Sequence, residues 1–152
     1  MKINVWINNQ EFTDEIKPDM VLLDYLREKG FYSVKRGCET SNCGLCTVHV
    51  EGKPVLSCST LAVRANGLHI TTLEALQEEA GEIGAFLAEE GADQCGFCSP
   101  GFVMTVLAMK RELKNPTDDE IKKYLVGNLC RCTGYMGHLR ALKKYLHRSL
   151  EV

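Results

Sequence analysis

The stretch Cys38-Glu39-Thr40-Ser41-Asn42-Cys43-Gly44-Leu45-Cys46 carries three cysteines, and a fourth follows at Cys58. The spacing C-x4-C-x2-C is typical of plant-type 2Fe-2S ferredoxins, in which four thiolates bind one cluster. Gly37 and Gly44 allow the backbone to approach a cluster closely, so that amide N–H groups can hydrogen-bond to sulfur. The four cysteines, called the first cysteine set, therefore predict one 2Fe-2S site: Cys38, Cys43, Cys46 and Cys58.

Four further cysteines form a C-x2-C pair and a distant C-x-C pair, and they are called the second cysteine set: Cys95, Cys98, Cys130 and Cys132. Four thiolates again complete one 2Fe-2S site. Pro100 can begin a helix directly after the first pair, and the second pair precedes the last predicted helix. Two helix N-termini would stabilise the negative charge of a cluster. Two clusters together indicate an electron-transfer protein.

Around the first set the sequence has the periodicity of strands. Ile3, Val5 and Ile7 alternate with polar residues, and Asn8–Asn9 can form the tight turn of a hairpin. Further segments predict a returning strand, a helix that ends before Gly30, a second hairpin and one more strand: 12–16, 22–26, 47–50 with 54–58, and 68–71. This order indicates a β-grasp arrangement.

After Thr72 the apolar residues recur at helical spacing. Thr71 with Glu74, and Thr117 with Glu120, have the spacing of a capping box and predict two helix starts. The predicted helical segments are 73–79, 83–90, 102–113, 121–126 and 139–146. The sequence thus predicts an α+β protein, with a β-grasp 2Fe-2S ferredoxin domain at 1–72 and a helical 2Fe-2S-binding domain at 73–152. No Pro/Gly/Ser linker separates them, so we expect the halves to pack together.

The composition excludes several classes of protein. Eighteen basic and twenty acidic residues leave a net charge of −2, and no basic tract is present that could follow a nucleic-acid backbone. No stretch reaches the roughly 20 apolar residues of a membrane-spanning helix. Met1–Gln10 lacks the pattern of a secretory leader, so we expect a cytoplasmic protein. A reducing compartment disfavours disulfides and favours metal binding by clustered cysteines.

Two other uses of the cysteines remain open from spacing alone. Structural zinc sites also use four cysteines, although they usually contain two C-x2-C pairs and each set here has at most one. Cys95-Gly96-Phe97-Cys98 resembles a thioredoxin-type redox motif, but that motif belongs after a strand and these residues follow a predicted helix. His49, His69, His138 and His147 are interpreted as surface or interface residues, because each set already has four thiolates.

Four stretches strongly resemble the small iron–sulfur subunit of the molybdenum hydroxylases, the family of xanthine dehydrogenase, aldehyde oxidase and carbon monoxide dehydrogenase. They are Gly37-Cys38, Cys43–Val48, Gln94–Gly101 and Gly127–Tyr135, and all eight cysteines match. The resemblance implies a β-grasp ferredoxin domain followed by a four-helix domain. It also implies a subunit without bond chemistry of its own, which relays electrons from a molybdopterin centre in a large subunit to FAD in a medium subunit.

The resemblance assigns roles to individual residues. It implies that the second set holds the cluster nearer molybdenum and the first set the cluster nearer flavin. It further implies that Gln94 and Cys132 contact the pterin, since an amide can both donate and accept hydrogen bonds. The alternative for Gln94 is a side chain that only satisfies backbone groups near a helix end.

Two stretches depart from the family pattern. Relatives often have glycine where this chain has Glu39 and Ser41, which predicts a different loop path or a different potential for the first cluster. Met136-Gly137-His138 also differs from what relatives commonly have after Tyr135. The alternative function is a free-standing two-cluster ferredoxin or redox adaptor, and a zinc-stapled interaction module is a more distant one. The substrate pocket of such a complex lies outside this chain; purines are favoured on family frequency, with aldehydes, N-heterocycles and carbon monoxide open.

Overall fold

The computed structural model describes residues 1–148. Its first half is a five-stranded sheet in the order β2-β1-β5-β3-β4. The strands are β1 (Lys2–Ile7), β2 (Gln10–Glu15), β3 (Thr47–Val50), β4 (Lys53–Leu56) and β5 (His69–Thr71). One helix, α1 (Leu22–Glu28), contributes Leu22, Leu23 and Leu26 to the core on this sheet. The predicted β-grasp arrangement is confirmed.

The first hairpin forms as its alternating pattern predicts. Ile3, Val5 and Ile7 are buried, and their polar neighbours in β1 are not. Asn8 and Asn9 join β1 to β2 with φ of 51° and 67°, a conformation that asparagine tolerates better than most residues. β1 also pairs in parallel with β5, so it lies in the middle of the sheet.

The second half contains four helices within the described residues: α2 (Gln77–Glu89), α3 (Ser99–Glu112), α4 (Asp118–Tyr124) and α5 (Met136–Arg148). The capping box predicted at Thr117 and Glu120 is present, because each residue bonds to the backbone N–H of the other. Met104 and Met109 are buried core residues, as expected. The α+β fold class is therefore confirmed.

The other predicted capping box is wrong. Residues 73–75 form only a 3-10 turn, and α2 begins later, at Gln77, without a side-chain cap. The Glu74 carboxylate instead accepts hydrogen bonds from the backbone N–H of Ser33 (2.9 Å) and from the hydroxyl of Thr72 (2.5 Å). A tertiary contact to a distant loop thus replaces the local cap. The predicted helices over 73–79 and 83–90 are in fact a short turn followed by one helix.

The two halves pack against each other through α3, which lies on β3 and β4. His49 of β3 is at the centre of this junction, only 2% exposed. Its Nε2 is 2.8 Å from Met104 O, and its Nδ1 accepts a hydrogen bond from Arg111 (3.2 Å), which also donates to Gly52 O. The expected packing of the halves is confirmed. His49, expected at the surface or at an interface, lies at the interface between the two halves. His138 is likewise buried (5% exposed) and does not lie on the surface.

The His49 junction predicts a pH dependence of stability. Burial lowers the pKa of His49, with a smaller contribution from the charge of Arg111. In the unfolded chain this imidazole takes up a proton below about pH 6.5. In the folded chain its pKa is lower, so it stays neutral at that pH. The unfolded state therefore binds more protons as the pH falls through about 6.5, and this residue's contribution to stability is lost below that pH.

We expect the midpoint of thermal unfolding to fall further between about pH 7.5 and about pH 5.5 for the wild type than for His49→Gln. A glutamine amide can donate to Met104 O and accept from Arg111 without titrating. Circular dichroism at one scan rate measures both midpoints. His69→Gln, at an exposed histidine, is the control and should retain the wild-type dependence. An equal fall in all three proteins would contradict the role of His49.

None of the helices formed by the described residues is long and apolar enough to cross a membrane.

Candidate metal centres

The first cysteine set lies where the loop between α1 and β3 meets the end of the second hairpin. Cys43 and Cys46 are buried, while Cys38 and Cys58 are half-buried. Cys58 lies in the 3-10 turn Ser57–Ser59, just beyond β4 rather than at its end as predicted. The thiols form two neighbouring, hydrogen-bonded pairs: Cys38 with Cys43, and Cys46 with Cys58.

The loop provides donors for a thiolate. Backbone N–H groups of Asn42 and Thr40 hydrogen-bond to the sulfur of Cys38 and lower its pKa to about 6. Burial has the opposite effect on Cys46 and raises its pKa to about 11. Amide donors directed at sulfur are what a negatively charged iron–sulfur cluster requires from its surroundings.

The second cysteine set comes from two connections between helices, that between α2 and α3 and that between α4 and α5. Cys98 is the N-cap residue of α3, with Pro100 in the first turn as predicted, and Cys95 precedes it. Cys130 and Cys132 lie between α4 and α5. Cys95 Sγ and Cys132 Sγ are 3.5 Å apart, and the thiol of Cys98 lies close to that of Cys130. The second set is therefore also arranged as two pairs of thiols. In each pair, one cysteine precedes α3 and the other lies between α4 and α5.

Electrostatic interactions connect these two pairs into one site. Cys95 and Cys132 each interact with the charge of Cys130, and Cys98 interacts with that of Cys95. Burial raises the pKa of Cys98 to about 12. Burial opposes ionisation of Cys130 as well, but the hydrogen bonds from Thr133, Cys132 and Cys98 together outweigh it and lower that pKa.

Both sets open onto one cleft of about 450 Å³ between the halves. Its cysteine lining comes from both sets: Cys38, Cys43, Cys95, Cys98, Cys130 and Cys132. Lys35 bridges the walls of the cleft by donating to Phe97 O (3.2 Å), and Leu129 N donates to Cys43 O (2.9 Å). The two candidate centres are thus neighbours in space although they are distant in sequence.

The pairing of the thiols can be compared with the two other uses of the cysteines, a structural zinc site and a thiol redox motif. All eight are free thiols. Within residues 1–148, no three Cys, His, Asp or Glu side chains converge closely enough to hold a single metal ion. Two pairs of thiols are what a binuclear cluster uses, because each of its two irons takes two protein ligands. The donor chemistry, the amide contacts and the paired thiols all fit 2Fe-2S clusters.

The residues predicted to contact a pterin lie together at the surface. Gln94 Nε2 donates to Cys132 O at 3.3 Å, and both residues are exposed. This contact is the backbone-satisfying role that was the alternative for Gln94. It also holds the amide beside the ligand loop, so a role towards pterin stays a prediction.

Sequence reasoning missed the hydroxyl groups beside the sulfurs. Ser41 Oγ is 3.5 Å from Cys58 Sγ, and Thr133 Oγ1 is 3.2 Å from Cys130 Sγ. The hydroxyl of Tyr135 accepts a hydrogen bond from Cys130 N (3.1 Å). The only available signal was at Ser41, where the sequence departs from the glycine common in relatives.

Two family models match the chain, one in each half. Residues 5–68 match the 2Fe-2S iron-sulfur cluster binding domain, and residues 72–143 match a second 2Fe-2S binding domain. Together the two matches span most of the chain and include all eight cysteines.

Named relatives and a solved structure agree with these matches. The chain is 44% identical over 137 residues to the xanthine dehydrogenase iron-sulfur-binding subunit of Escherichia coli O157:H7, covering 88% of this chain and 86% of the relative. It is 42% identical over 137 residues to the nicotinate dehydrogenase small FeS subunit of Eubacterium barkeri, covering 88% and 87%. Quinoline 2-oxidoreductase from Pseudomonas putida 86 contains a chain with a TM-score of 0.84 and 37% identity, at 97% and 96% coverage.

The sequence resemblance is therefore confirmed, and with it the non-catalytic, electron-transferring character of the chain within an oxidoreductase. The chain belongs to the family of two-cluster 2Fe-2S subunits of the molybdenum hydroxylases.

Proposed function

We propose that this chain relays electrons from a molybdopterin centre in a large partner subunit to FAD in a medium partner subunit. The observation that carries the proposal is the pair of four-cysteine sites on one cleft. The relatives support it, because they are small subunits of dehydrogenases. When bound, a 2Fe-2S cluster accepts and passes on one electron at a time. Nothing in the chain specifies the substrate of the complex.

Each set of four thiolates holds one cluster in this proposal. Cys38, Cys43, Cys46 and Cys58 bind the cluster of a ferredoxin domain over 1–72. Cys95, Cys98, Cys130 and Cys132 bind the cluster of a helical domain over 73–152. Backbone N–H groups around Cys38 and the Thr133 hydroxyl beside Cys130 stabilise the ligand sulfurs in their ionised form.

The second set faces the large partner in this proposal. Cys95 and Cys132 are exposed, and a cluster held there would lie close to the surface. Exposed apolar side chains line or adjoin the cleft: Phe97 (49% exposed), Leu129 (47%), Tyr135 (46%) and Met136 (58%). Apolar exposure around an exposed site is typical of a surface that a partner covers. Gln94 and Cys132 then lie where the pterin would approach, and the assembled enzyme works in the cytoplasm.

The metal content tests this proposal directly. We expect four irons and four acid-labile sulfides per chain after anaerobic purification, because each binuclear cluster contains two irons and two sulfides on four thiolates. Iron and sulfide analysis together with zinc analysis measures this. Zinc in place of iron would support the structural zinc site, and two irons per chain would contradict a two-cluster relay.

The state of assembly separates the relay from a free-standing ferredoxin. Expressed with its neighbouring genes, the chain should co-purify with a molybdopterin-containing subunit and an FAD-containing subunit. Size-exclusion chromatography with cofactor analysis of each fraction measures this. A chain that carries both clusters and elutes alone under these conditions would favour the redox adaptor.

A further inference from the structure

Ser41 occupies an unusual backbone position in the loop of the first cysteine set. Its φ is +57°, in the left-handed region where a residue with a Cβ is disfavoured relative to glycine. Its hydroxyl oxygen is 3.5 Å from Cys58 Sγ, in the segment that follows the second hairpin. The loop therefore has a hydroxyl beside a ligand sulfur at a position where glycine would suit the backbone better.

Ser41 is the hydroxyl of this loop that reaches a ligand sulfur. The neighbouring Thr40 hydroxyl donates to Asn42 Oδ1 at 3.0 Å, so it is engaged within the loop. Ser59, directly after Cys58 in sequence, donates to Leu56 O at 3.2 Å. Of these three hydroxyls, that of Ser41 is the one that contacts the sulfur of Cys58, while the Ser57 hydroxyl, which donates to Cys46 O at 2.7 Å, acts on the sulfur of Cys46.

The charged residues near Cys58 are already paired. Arg36 interacts with the charge of Cys58, but its guanidinium also contacts Asp24 (2.5 Å) and Glu39 (3.4 Å). The second departure from the family pattern, Glu39, is therefore directed at Arg36, and its carboxylate charge is offset there. This leaves the uncharged hydroxyl of Ser41 as a side-chain contact of the loop with the sulfur of Cys58, in addition to the backbone N–H groups that bond to the sulfur of Cys38.

The direction of the hydrogen bond follows from the chemistry of a ligand sulfur. A thiolate has no proton to give, so the Ser41 hydroxyl must donate to Cys58 Sγ once iron is bound. When one electron is added, negative charge on this sulfur increases and the donated hydrogen bond becomes stronger. The reduced state is stabilised more than the oxidised state, and the reduction potential rises.

We propose that Ser41 is a positioning residue that donates a hydrogen bond to Cys58 Sγ and raises the reduction potential of the cluster held by the first set. The inference rests on the proposed function, since it requires a cluster on these four cysteines. Its consequence for the relay is that electrons are drawn from the second site towards the first, which is the end proposed to face FAD.

The test is a redox titration of the assembled complex, followed by low-temperature EPR, for Ser41→Gly and Ser41→Ala. At a fixed potential we expect the oxidised-to-reduced ratio of one 2Fe-2S signal to rise about tenfold in both variants, a shift of about 59 mV for one electron. The signal of the second site should not move. Ser59→Ala is the matched control, because it removes a nearby hydroxyl that bonds only to backbone.

The two substitutions separate the hydroxyl from the backbone. Glycine relieves the conformation at φ +57°, whereas alanine, like serine, keeps the disfavoured Cβ, so a potential shift seen with glycine alone would reflect the backbone and overturn the proposal. Unchanged potentials in both variants, or equal shifts of both signals, would also overturn it. A wild-type complex without two 2Fe-2S signals would instead refute the proposed function, so the two failures are distinguishable.

Discussion

Replacing Cys132 by serine is expected to slow electron delivery from the large partner to flavin by more than about 100-fold. Loss of residues that merely support a metal ligand costs about 10- to 100-fold, so loss of a ligand should cost more. Cys132 is exposed and its sulfur is 3.5 Å from that of Cys95. The substitution therefore alters the side of the second site that we propose faces the pterin, where electrons enter.

Rapid-mixing spectroscopy of the assembled complex follows this effect. Substrate should still reduce molybdenum in the Cys132→Ser complex, while reduction of flavin stalls. Gln94→Ala is the comparison variant, since it removes the hydrogen bond to Cys132 O and the proposed pterin contact but none of the four thiols. Each such bond contributes about 1 kcal/mol, so this variant should slow transfer clearly less than Cys132→Ser does. Flavin reduction at the wild-type rate in Cys132→Ser would show that the second site is not an obligatory step.

Local signals in the sequence predicted local structure correctly. The alternation of Ile3, Val5 and Ile7 gave the first strand because one face of that strand is buried. The capping box of Thr117 and Glu120 formed because both partners lie in the same turn. In each case the decisive contact is made between neighbours in the chain or by one face of a single element.

Where prediction failed, the deciding contact was made by a distant residue. The Glu74 carboxylate bonds to Ser33, far away in sequence, and no helix begins where its spacing with Thr71 suggested. His49 has a partner in the other half of the molecule, and its burial depends on that contact, which the residues of β3 alone do not specify. Tertiary contacts of this kind override local preferences.

The candidate centres show the same division. Spacing predicted two cluster-binding halves, which the two matching family models confirm, and its assignment of four cysteines to each cluster stays a prediction. It did not predict that Cys95 pairs with Cys132, or that both sets line one cleft. These features depend on how α3 docks on the sheet, which the sequence pattern of neither half specifies.

That docking depends on a contact between two backbones. Gly101, in the first turn of α3, lies against the loop of the first set: a Cβ there would be 2.8 Å from Leu45 Cα and closer still to Gly44 O. Real Cβ atoms essentially never approach other atoms within 3.0 Å. Gly44 and Leu45 lie between the predicted ligands Cys43 and Cys46, so a side chain on α3 would displace the loop of the first cysteine set in the other half.

Gly101→Ala is therefore expected to lower the free energy of unfolding by at least about 1 to 3 kcal/mol, the usual cost of overpacking, and more where backbone must move. For a chain of this size that is a fall of roughly 2 to 12 °C in the thermal midpoint. The substitution should also reduce the iron bound at the first set, although no ligand has changed. Circular dichroism and iron analysis of the purified complex measure the two effects.

Gly81→Ala is the control for this prediction. Gly81 lies within α2, and a Cβ there would meet nothing within 4 Å. Alanine in the middle of a helix is favoured over glycine by about 0.5 to 1 kcal/mol, so this variant should be slightly more stable and retain four irons. If Gly101→Ala matched the control in thermal midpoint and iron content, the close approach of α3 to Gly44 and Leu45 would not hold the two sites together. A loss of iron with an unchanged midpoint would instead locate the damage in the cluster loop alone, because the rest of the junction would then have absorbed the added methyl group.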